Sequence, residues 1–447
     1  MRVTDQLCNF ITNCFYDDLP IDVIEKAKSF LLDYFGAALY GSTKDWSDIL
    51  ANFIKGADCR KENTVIGKNW KTSTQFASLI NGTNGHLFEL DDFHGKAFLH
   101  PGVVVIPSAL AAGEKAHVNG KELITSIILG YETMIRIGLA MGLSHSLRGF
   151  HPTGTVGPFG AAAAFAKIMG FGREKLLNAF GIVGSLASGI REFYLEGGMI
   201  KSLHAGKASE NGVVAALLAE KGFTGPRTVL EGNFGFCRAF SDNADLKKIE
   251  DNLLEKWEIR DVSLKTYACC GNIHPVVNGL TKLIEENELN PFDINEIVVR
   301  TNEKVARQNS GLGTESVMAT QYSIPFVTAV TLLEDIEDPN VFNNDLLKDN
   351  NILNLAKRVR VEGVLKDAGS ERCEVIIKIK GADEFFVLIE KPKGHPEHPL
   401  SHVEVTRKFK KLVSTVMTEN KALEIINTIK SIEEVNDINI LCDLVRK

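Results

Sequence analysis

The sequence predicts a mainly α-helical protein with an α+β part: a large all-helical domain and a smaller α+β lid domain with an antiparallel sheet. Three observations predict this fold class. A chain of 447 residues exceeds what one hydrophobic core usually organises. Apolar residues recur at helical spacing from the start to about residue 260, and strand-like alternation follows between about 290 and 391. Amphipathic helices return after residue 400.

The N-terminal helices are predicted from apolar faces. Residues 21–41 place Val23, Ala27, Phe30 and Phe35 on one face, and Gly41 offers a stop. The pattern recurs in residues 73–90, 103–118 and 121–142. Three later helices, 154–170, 178–190 and 207–222, are rich in Gly, Ala and Ser. Because glycine costs about 1 kcal/mol relative to alanine in a helix, its repeated use indicates helices whose backbones pack closely.

The α+β part is predicted from alternating segments. Four segments alternate as strands do: 294–303, 357–364, 371–381 and 384–391. Residues 321–335 are typical of a helix, with Pro325 in its first turns. We expect residues 1–262 to form the helical domain, completed by residues 400–447, and residues 263–399 to form the α+β lid domain.

Bulk properties exclude several classes of protein. The net charge is -7 and the pI is about 5.9, whereas a nucleic-acid-binding domain shows a basic face. A small anionic substrate remains compatible with this charge. The N-terminus lacks the pattern of a signal peptide, and charged residues, Gly or Pro interrupt the apolar runs, so we expect no membrane span. The eight cysteines fit no disulfide framework, which predicts reduced thiols and a cytoplasmic location.

Common catalytic motifs are missing from the sequence. We find no P-loop, no Rossmann fingerprint after a strand, no HExxH and no GxSxG. Candidate chemistry therefore depends on His, Lys and acidic residues in four segments. In the first, residues 86–102, Asp91, Asp92, His94, Lys96 and His100 fall between two apolar helices. This segment is either a polar surface loop, part of an active site or, in an alternative, a metal site.

The second and third segments combine histidine and lysine with small residues. In residues 144–157, His151 precedes Pro152 at the start of a small-residue helix, a natural place for an anion. In residues 197–212, Lys201, His204 and Lys207 lie beside glycines, which favours a carboxylate pocket over lysines that merely cover an apolar helix. His145 and Arg148 are surface candidates.

The fourth segment, residues 263–280, lies at the predicted domain junction. Lys265 and His274 bracket the adjacent Cys269 and Cys270. A nucleophilic cysteine needs a base and an electropositive surrounding, and a buried inert pair is the favoured interpretation. The histidines of residues 395–402 are interpreted as part of a linker.

Several long segments, in this order, resemble the MmgE/PrpD family. They read NGTNGHLFELDDFHGKAFLHPG, GFHPTGTVGPFGAAAA, KSLHAGKASENG, FTGPRTVLEGNFGF and KTYACCGNIHP, followed by YSIPF and GHPEHPLS. The family includes cis-aconitate decarboxylase, 2-methylcitrate dehydratase and iminodisuccinate epimerase. The resemblance implies a helical domain with an α+β lid, a homodimer, and an active site at the domain interface without metal or organic cofactor.

The resemblance also implies site residues. The family acid corresponds to Asp91 or Asp92, and its histidines correspond to His100, His151 and His274. Its lysines correspond to Lys201 and Lys265. A tyrosine of the decarboxylase site falls near Phe326 here, which leaves Tyr322 as its substitute.

We expect a lyase that transfers a proton next to a carboxylate. Lys201 and Lys265 would bind carboxylates and stabilise developing charge. His100, favoured over His151, would carry the proton, and Asp91 or Asp92 would orient a histidine. His204, Lys207, His274 and Tyr322 are further substrate-binding candidates. Decarboxylation, dehydration and epimerisation stay open. The alternatives are a metal-dependent hydrolase that uses Asp91, Asp92, His94 and His100, and an inactive binding protein.

Overall fold

The computed structural model describes residues 2–57, 60–366, 369–381 and 383–447. The chain divides into two compact units. Unit 1 comprises the residues up to Leu87, Asp91–Ser263 and His402–Lys447, and unit 2 comprises Phe88–Leu90 and Leu264–Ser401. That these units fold as separate domains with the limits given above stays a prediction.

Unit 1 is built from helices and one short hairpin. Its helices are α1 Val3–Asn13, α2 Ile21–Gly41, α3 Asp45–Lys55, α4 Thr74–Gly85, α5 Gly102–Ala116, α6 Gly120–Leu147, α7 Pro152–Ile168, α8 Arg173–Leu186, α9 Phe193–Glu196, α10 Ile200–Glu220, α11 Phe236–Phe240 and α12 Lys247–Glu250. The hairpin pairs β1 Asn63–Thr64 with β2 Lys71–Thr72.

Small residues let α7 and α10 run side by side, as the glycine-rich segments predicted. A Cβ at Gly154 would lie 3.4 Å from Cβ of His204, and one at Gly157 would lie 3.0 Å from Cβ of Ala208. A Cβ at Gly212 would lie 2.5 Å from Cβ of Ala161. These pairs ascend both helices in the same direction, so the two N-terminal ends lie at the same end of the helix pair.

Helix α6 is the longest of the described helices and passes through the core of unit 1. It is long and apolar enough to cross a membrane, but 94% of its apolar window is buried inside the protein. The core helix of a soluble protein passes the same test, so this helix is weak evidence for a membrane span.

Unit 2 contains α13 His274–Asn287, β3 Ile294–Thr301, α14 Glu303–Asn309, α15 Val317–Thr320, α16 Ile324–Leu333, α17 Asn350–Ala356, β4 Val359–Gly363, β5 Cys373–Ile379 and β6 Glu384–Ile389. The strands form one sheet in the order β4-β3-β5-β6. The predicted fold class, mainly α with an α+β part, is confirmed. The sheet is mixed rather than wholly antiparallel, because the helical crossover from β3 to β4 returns the chain in the same direction.

The last helices of the chain return to unit 1. They are α18 His402–Val413, α19 Glu419–Lys430 and α20 Asn439–Leu444. Phe409 and Leu412 of α18 pack over Gly36 of α2. Nζ of Lys408 lies 2.6 Å from a carboxylate oxygen of Asp33, and both side chains are buried. A buried ion pair on α2 therefore anchors the C-terminal helices.

We expect Gly206→Ala to lower the melting temperature clearly. The added Cβ would collide with the carbonyl oxygen of Leu79 and lie 2.9 Å from the backbone nitrogen of Thr83, both on α4. Backbone atoms cannot move aside cheaply, and overpacking of this kind costs about 1–3 kcal/mol. Gly56→Ala is the control, since its Cβ would meet nothing closer than 3.4 Å. An unchanged melting temperature for Gly206→Ala in thermal unfolding would contradict the close packing of α4 and α10.

Candidate functional site

A cluster of ionisable side chains lies in unit 1 where several helices begin or end. Helix α4 stops at Gly85, five residues before the predicted end, and leaves residues 86–101 as a loop. His151 is the N-cap of α7, with Pro152 as the first helical residue. Lys201 and His204 lie in the first turns of α10. The loop and the two helix starts supply every member of the cluster.

One oxygen of Asp91 contacts two histidines. Oδ2 lies 2.7 Å from Nδ1 of His86 and 2.9 Å from Nδ1 of His100. Nδ1 of His100 also lies 2.8 Å from the carbonyl oxygen of Asp92. Because both partners of this nitrogen accept hydrogen bonds, Nδ1 of His100 carries a hydrogen. Nε2 is therefore the nitrogen with which His100 can exchange a proton.

The carboxylate of Asp92 has different partners from the carboxylate of Asp91. Its carboxylate accepts hydrogen bonds from the hydroxyl of Tyr131 at 2.6 Å and from the backbone N–H of Gly102 at 2.9 Å. Burial raises the pKa of Asp92 to about 7, although these two donors oppose the shift. Asp92 thus fixes the start of α5, and Asp91 is the acid that contacts His86 and His100.

His151 and His204 form a second contact. Their Nδ1 atoms lie 3.1 Å apart, and the ring of Phe193 packs against both. Burial lowers the pKa of His151 well below its ordinary value, and His204, His86, Lys201 and His100 lower it further. Burial likewise lowers the pKa of His86 to about 4, although Asp91 opposes this shift. His86 and His151 are therefore neutral imidazoles at neutral pH.

The two lysines predicted on α10 differ in position. Lys201 is 4% exposed, and its charge is close enough to lower the pKa of both His86 and His151. Lys207 is exposed, and its ammonium lies 2.7 Å from Glu210, one turn further along α10. The structure therefore places Lys201 in the cluster and Lys207 on the surface, because α10 turns the two lysines to different faces.

Unit 2 contains a separate polar contact around Glu89. Its two carboxylate oxygens lie 2.7 Å from Nζ of Lys265 and 2.8 Å from the hydroxyl of Tyr322. Lys265 and Glu89 are both buried. Glu89 has φ +55°, a left-handed conformation that costs a non-glycine residue free energy. The predicted residues Lys265 and Tyr322 thus come together on an acid that we had not singled out.

The remaining candidates of unit 2 are largely buried. His274 is buried at the start of α13, with its ring centroid 5.3 Å from that of Tyr267. Phe326 is fully buried in α16. Burial raises the pKa of the Cys269 thiol well above its ordinary value, as the inert interpretation of this cysteine requires. The seven described cysteines form no disulfide, and Cys59 lies outside the described residues.

His94 has a surrounding of its own in unit 1. Its Nδ1 accepts a hydrogen bond from the backbone N–H of Ala97, so the ring hydrogen lies on Nε2. Lys96, from the same predicted cluster, reaches Asp261 at 3.1 Å on the surface. The surface interpretation was wrong for His145, which is buried and contacts the carbonyl oxygen of Phe240 and the hydroxyl of Thr155. Arg148 is exposed and pairs with Asp242.

Among the described residues, two groups have three donor atoms close enough for a metal ion. They are His86, Asp91 and His100, and His94, Glu258 and Asp261, with donor atoms within 4.8 Å. A metal-bound histidine gives its other N–H to an acceptor, whereas the other nitrogen of His94 accepts from Ala97. In the first group, Nδ1–H of each histidine faces Asp91. Asp91 and His100 fall in one group and His94 in the other, so the four residues of the predicted metal site do not come together.

Three residues of these contacts were missed from the sequence: His86, Glu89 and Tyr131. His86 and Glu89 stand within the quoted segment HLFELDDFH, and an acid inside the apolar run LFEL is the signal that should have marked Glu89. Nε2 of His86 is buried and has no hydrogen-bond partner in the described part of the chain. Tyr131 lies within the long apolar helix α6 and gives no such signal.

Comparisons with known proteins cover nearly the whole chain. A sequence model of the MmgE/PrpD N-terminal domain matches residues 5–249, and one of the MmgE/PrpD C-terminal domain matches residues 267–434. The chain is 28% identical over 475 residues to the cis-aconitate decarboxylase-like protein oryM of Aspergillus oryzae, covering 99% of this chain and 97% of that protein. It is 28% identical to cis-aconitate decarboxylase of Aspergillus terreus, with 99% and 95% covered. Identity to cis-aconitate decarboxylase of Homo sapiens is 25%, with 99% and 94% covered.

We expect the stability of Asp92→Asn relative to the wild type to increase as the pH rises from 5 to 7. Native Asp92 keeps its proton up to about pH 7, whereas the unfolded carboxyl, with its ordinary pKa of 3.8, has already lost it. Unfolding thus releases a proton in this window, and this group makes the wild type less stable as pH rises, by about 1.4 kcal/mol per pH unit. Asparagine lacks this titration.

The measurement is chemical unfolding of both proteins at several pH values. Asp242→Asn on the surface is the control, and its difference from the wild type should stay constant with pH. A constant difference for Asp92→Asn as well would contradict the raised pKa.

Proposed function

This chain belongs to the MmgE/PrpD family, and we propose that it is a carboxy-lyase acting on an unsaturated tricarboxylate of the cis-aconitate type. The two matches confirm the family resemblance seen in the sequence segments. The relatives at 23–28% identity are named cis-aconitate decarboxylase or, for oryM, cis-aconitate decarboxylase-like, which supports a lyase that processes carboxylates. In this proposal, protein side chains carry the reaction without metal or organic cofactor.

The contact between Asp91 and His100 is the observation that carries the proposal. A carboxylate that accepts Nδ1–H of a histidine fixes the tautomer and the ring orientation, and it leaves Nε2 to exchange the proton. His100 is partly exposed, whereas Asp91 is buried, so the exchanging side chain is the one that can reach a ligand. The backbone N–H of His100 also donates to the hydroxyl of Thr153 on α7, which fixes the loop against that helix.

Decarboxylation needs one proton carrier and stabilisation of negative charge. The bond between carbon and the departing carboxylate breaks, CO₂ leaves, and the electron pair stays on the substrate. His100 in its imidazolium form, with hydrogens on both ring nitrogens and with Nδ1 next to Asp91, then gives its Nε2 proton to this electron pair to form a new C–H bond, and a proton from solution restores the imidazolium. The product keeps the remaining carboxylates, so each turnover consumes one proton and releases one CO₂.

Lys201 provides the positive charge for such a substrate within unit 1. It is buried at the start of α10, where helix N–H groups also favour an anion. A donor aimed at developing charge in a dry site contributes about 3 kcal/mol to transition-state stabilisation. The neutral histidines around it add hydrogen-bond donors and no repulsive negative charge.

Dehydration and epimerisation use the same elements and are distinguished by their products. The purified protein is incubated with cis-aconitate in D₂O, after exhaustive dialysis against EDTA, and followed by NMR. We expect CO₂ and an unsaturated dicarboxylate with one deuterium on carbon. Hydration or exchange without loss of CO₂ would replace the carboxy-lyase by a hydro-lyase or an epimerase. Activity that disappears with EDTA and returns with Zn²⁺ or Mg²⁺ would refute the cofactor-free reaction.

We expect His100→Ala to reduce kcat by about 10²–10⁴-fold with a smaller change in KM, because a proton carrier contributes mainly to the transition state. Steady-state kinetics and melting temperature are measured together, so that a folding defect is recognised. His398→Ala, in the loop before α18, is the control and should behave as the wild type. Near-normal kcat in well-folded His100→Ala would remove His100 from the mechanism and give its role to His151.

A further inference from the structure

His151 and His204 form a pair of imidazoles at the N-terminal ends of α7 and α10. Their Nδ1 atoms lie 3.1 Å apart and their ring centroids 5.2 Å apart. Phe193 packs against both rings at 5.2 and 5.8 Å between centroids. His151 is buried, whereas His204 is partly exposed. The two rings are therefore held in contact through their Nδ1 atoms.

A single hydrogen lies between the Nδ1 atoms of His151 and His204. A neutral imidazole has one N–H donor and one acceptor nitrogen, and two N–H groups that face each other repel. If His204 donates, the hydrogen of His151 lies on Nε2, which becomes a donor. If His204 accepts, Nε2 of His151 becomes an acceptor. The tautomer of His204 therefore decides what His151 offers to a ligand.

Both rings are neutral in the surroundings that the structure provides. Burial lowers the pKa of each, and the groups that face His151 are the cations or potential cations His86, His100, Lys201 and His204. His151 therefore presents a neutral ring, and the question is only which nitrogen carries its hydrogen.

The charge of the substrate selects the tautomer. A carboxylate has no hydrogen to give, so it is bound by Nε2–H of His151 and repelled by a lone pair at the same nitrogen. Building on the proposed carboxy-lyase function, we propose that His204 is the positioning residue of His151: it donates Nδ1–H to Nδ1 of His151 and thereby presents Nε2–H to a substrate carboxylate.

A neutral imidazole donor suits this reaction. Negative charge grows on the groups conjugated to the breaking bond, and a fixed donor stabilises it without transferring its proton. The proton that takes the place of CO₂ comes from His100, so His151 ends the turnover in the tautomer in which it began. Lys201 and His204 are three residues apart on one face of α10, and this helix start supplies both the charge and the tautomer control.

Two nearly isosteric variants test the direction of the hydrogen bond. The amide of His204→Asn can place an N–H where Nδ1–H of histidine lies, whereas the carboxylate of His204→Asp can only accept. With cis-aconitate as substrate, we expect His204→Asn to keep at least about a tenth of the wild-type kcat/KM, and His204→Asp to lose about 10²-fold or more. His117→Asn, at a surface histidine paired with Asp437, is the matched control. Equal losses in the two variants, or higher activity in His204→Asp, would overturn the proposal.

A second measurement does not depend on turnover. Ring ¹⁵N NMR of histidine-labelled protein reports which nitrogen carries the hydrogen, and His151→Gln identifies the signals of His151. We expect the hydrogen on Nε2 in the wild type and in His204→Asn, and on Nδ1 in His204→Asp. Hydrogen on Nδ1 in the wild type would overturn the positioning role for any substrate. If the tautomer is as expected but cis-aconitate is not decarboxylated, the proposed function fails and the hydrogen-bond assignment stands.

Discussion

The close approach of α7 and α10 is the constraint on which the candidate site of unit 1 depends. Glycine and alanine at facing positions leave almost no side chain between the two helices. Helices that lie so close, in the same direction, must begin next to each other. This packing brings together the N-cap of α7 and the first turns of α10. His151 is therefore a neighbour of Lys201 and His204. A larger residue at Gly154 or Gly157 would push neighbouring atoms away and thereby separate the rings of His151 and His204.

Burial then determines the chemistry of the side chains that this packing brings together. Desolvation favours the neutral form of His86 and His151, and the nearby Lys201 acts in the same direction. Asp91 opposes it for His86 by accepting hydrogen bonds from two histidines through one oxygen. The cluster thus combines the carboxylate of Asp91, the ammonium of Lys201 and the neutral rings of His86 and His151 with His100, whose Nδ1 is held by Asp91. In the proposed function, such an arrangement would bind an anion and transfer a proton without a large reorganisation of charge.

The sequence predicted helices and strands well where periodicity was strong. Residues 21–41 form α2 with the predicted limits, and the four alternating segments form β3 to β6. Periodicity carries no information on strand direction, so the parallel pairing of β3 with β4 was missed. Nor did it distinguish Asp91 from Asp92, because adjacent residues in a loop differ only in which neighbours they meet. That difference comes from Tyr131, which is distant in sequence, and from the backbone N–H of Gly102, which any residue other than proline would offer.

The Glu89 contact shows how a family-implied role depends on a neighbour that no motif reveals. Lys265 was expected to bind a carboxylate, and in the structure it does bind one, that of Glu89. A buried ammonium beside a buried carboxylate contributes little net charge at a distance, because their fields largely cancel. The same carboxylate also holds the hydroxyl of Tyr322. An anion that approached Lys265 would also meet the negative charge of Glu89. Within unit 2 the pair therefore offers an anion no excess positive charge. Lys201 instead lies near His86 and His151, and its positive charge lowers the pKa of both imidazoles. The sequence analysis gave Lys201 and Lys265 the same role. Their neighbours differ, however, so the two ammonium groups have different electrostatic effects.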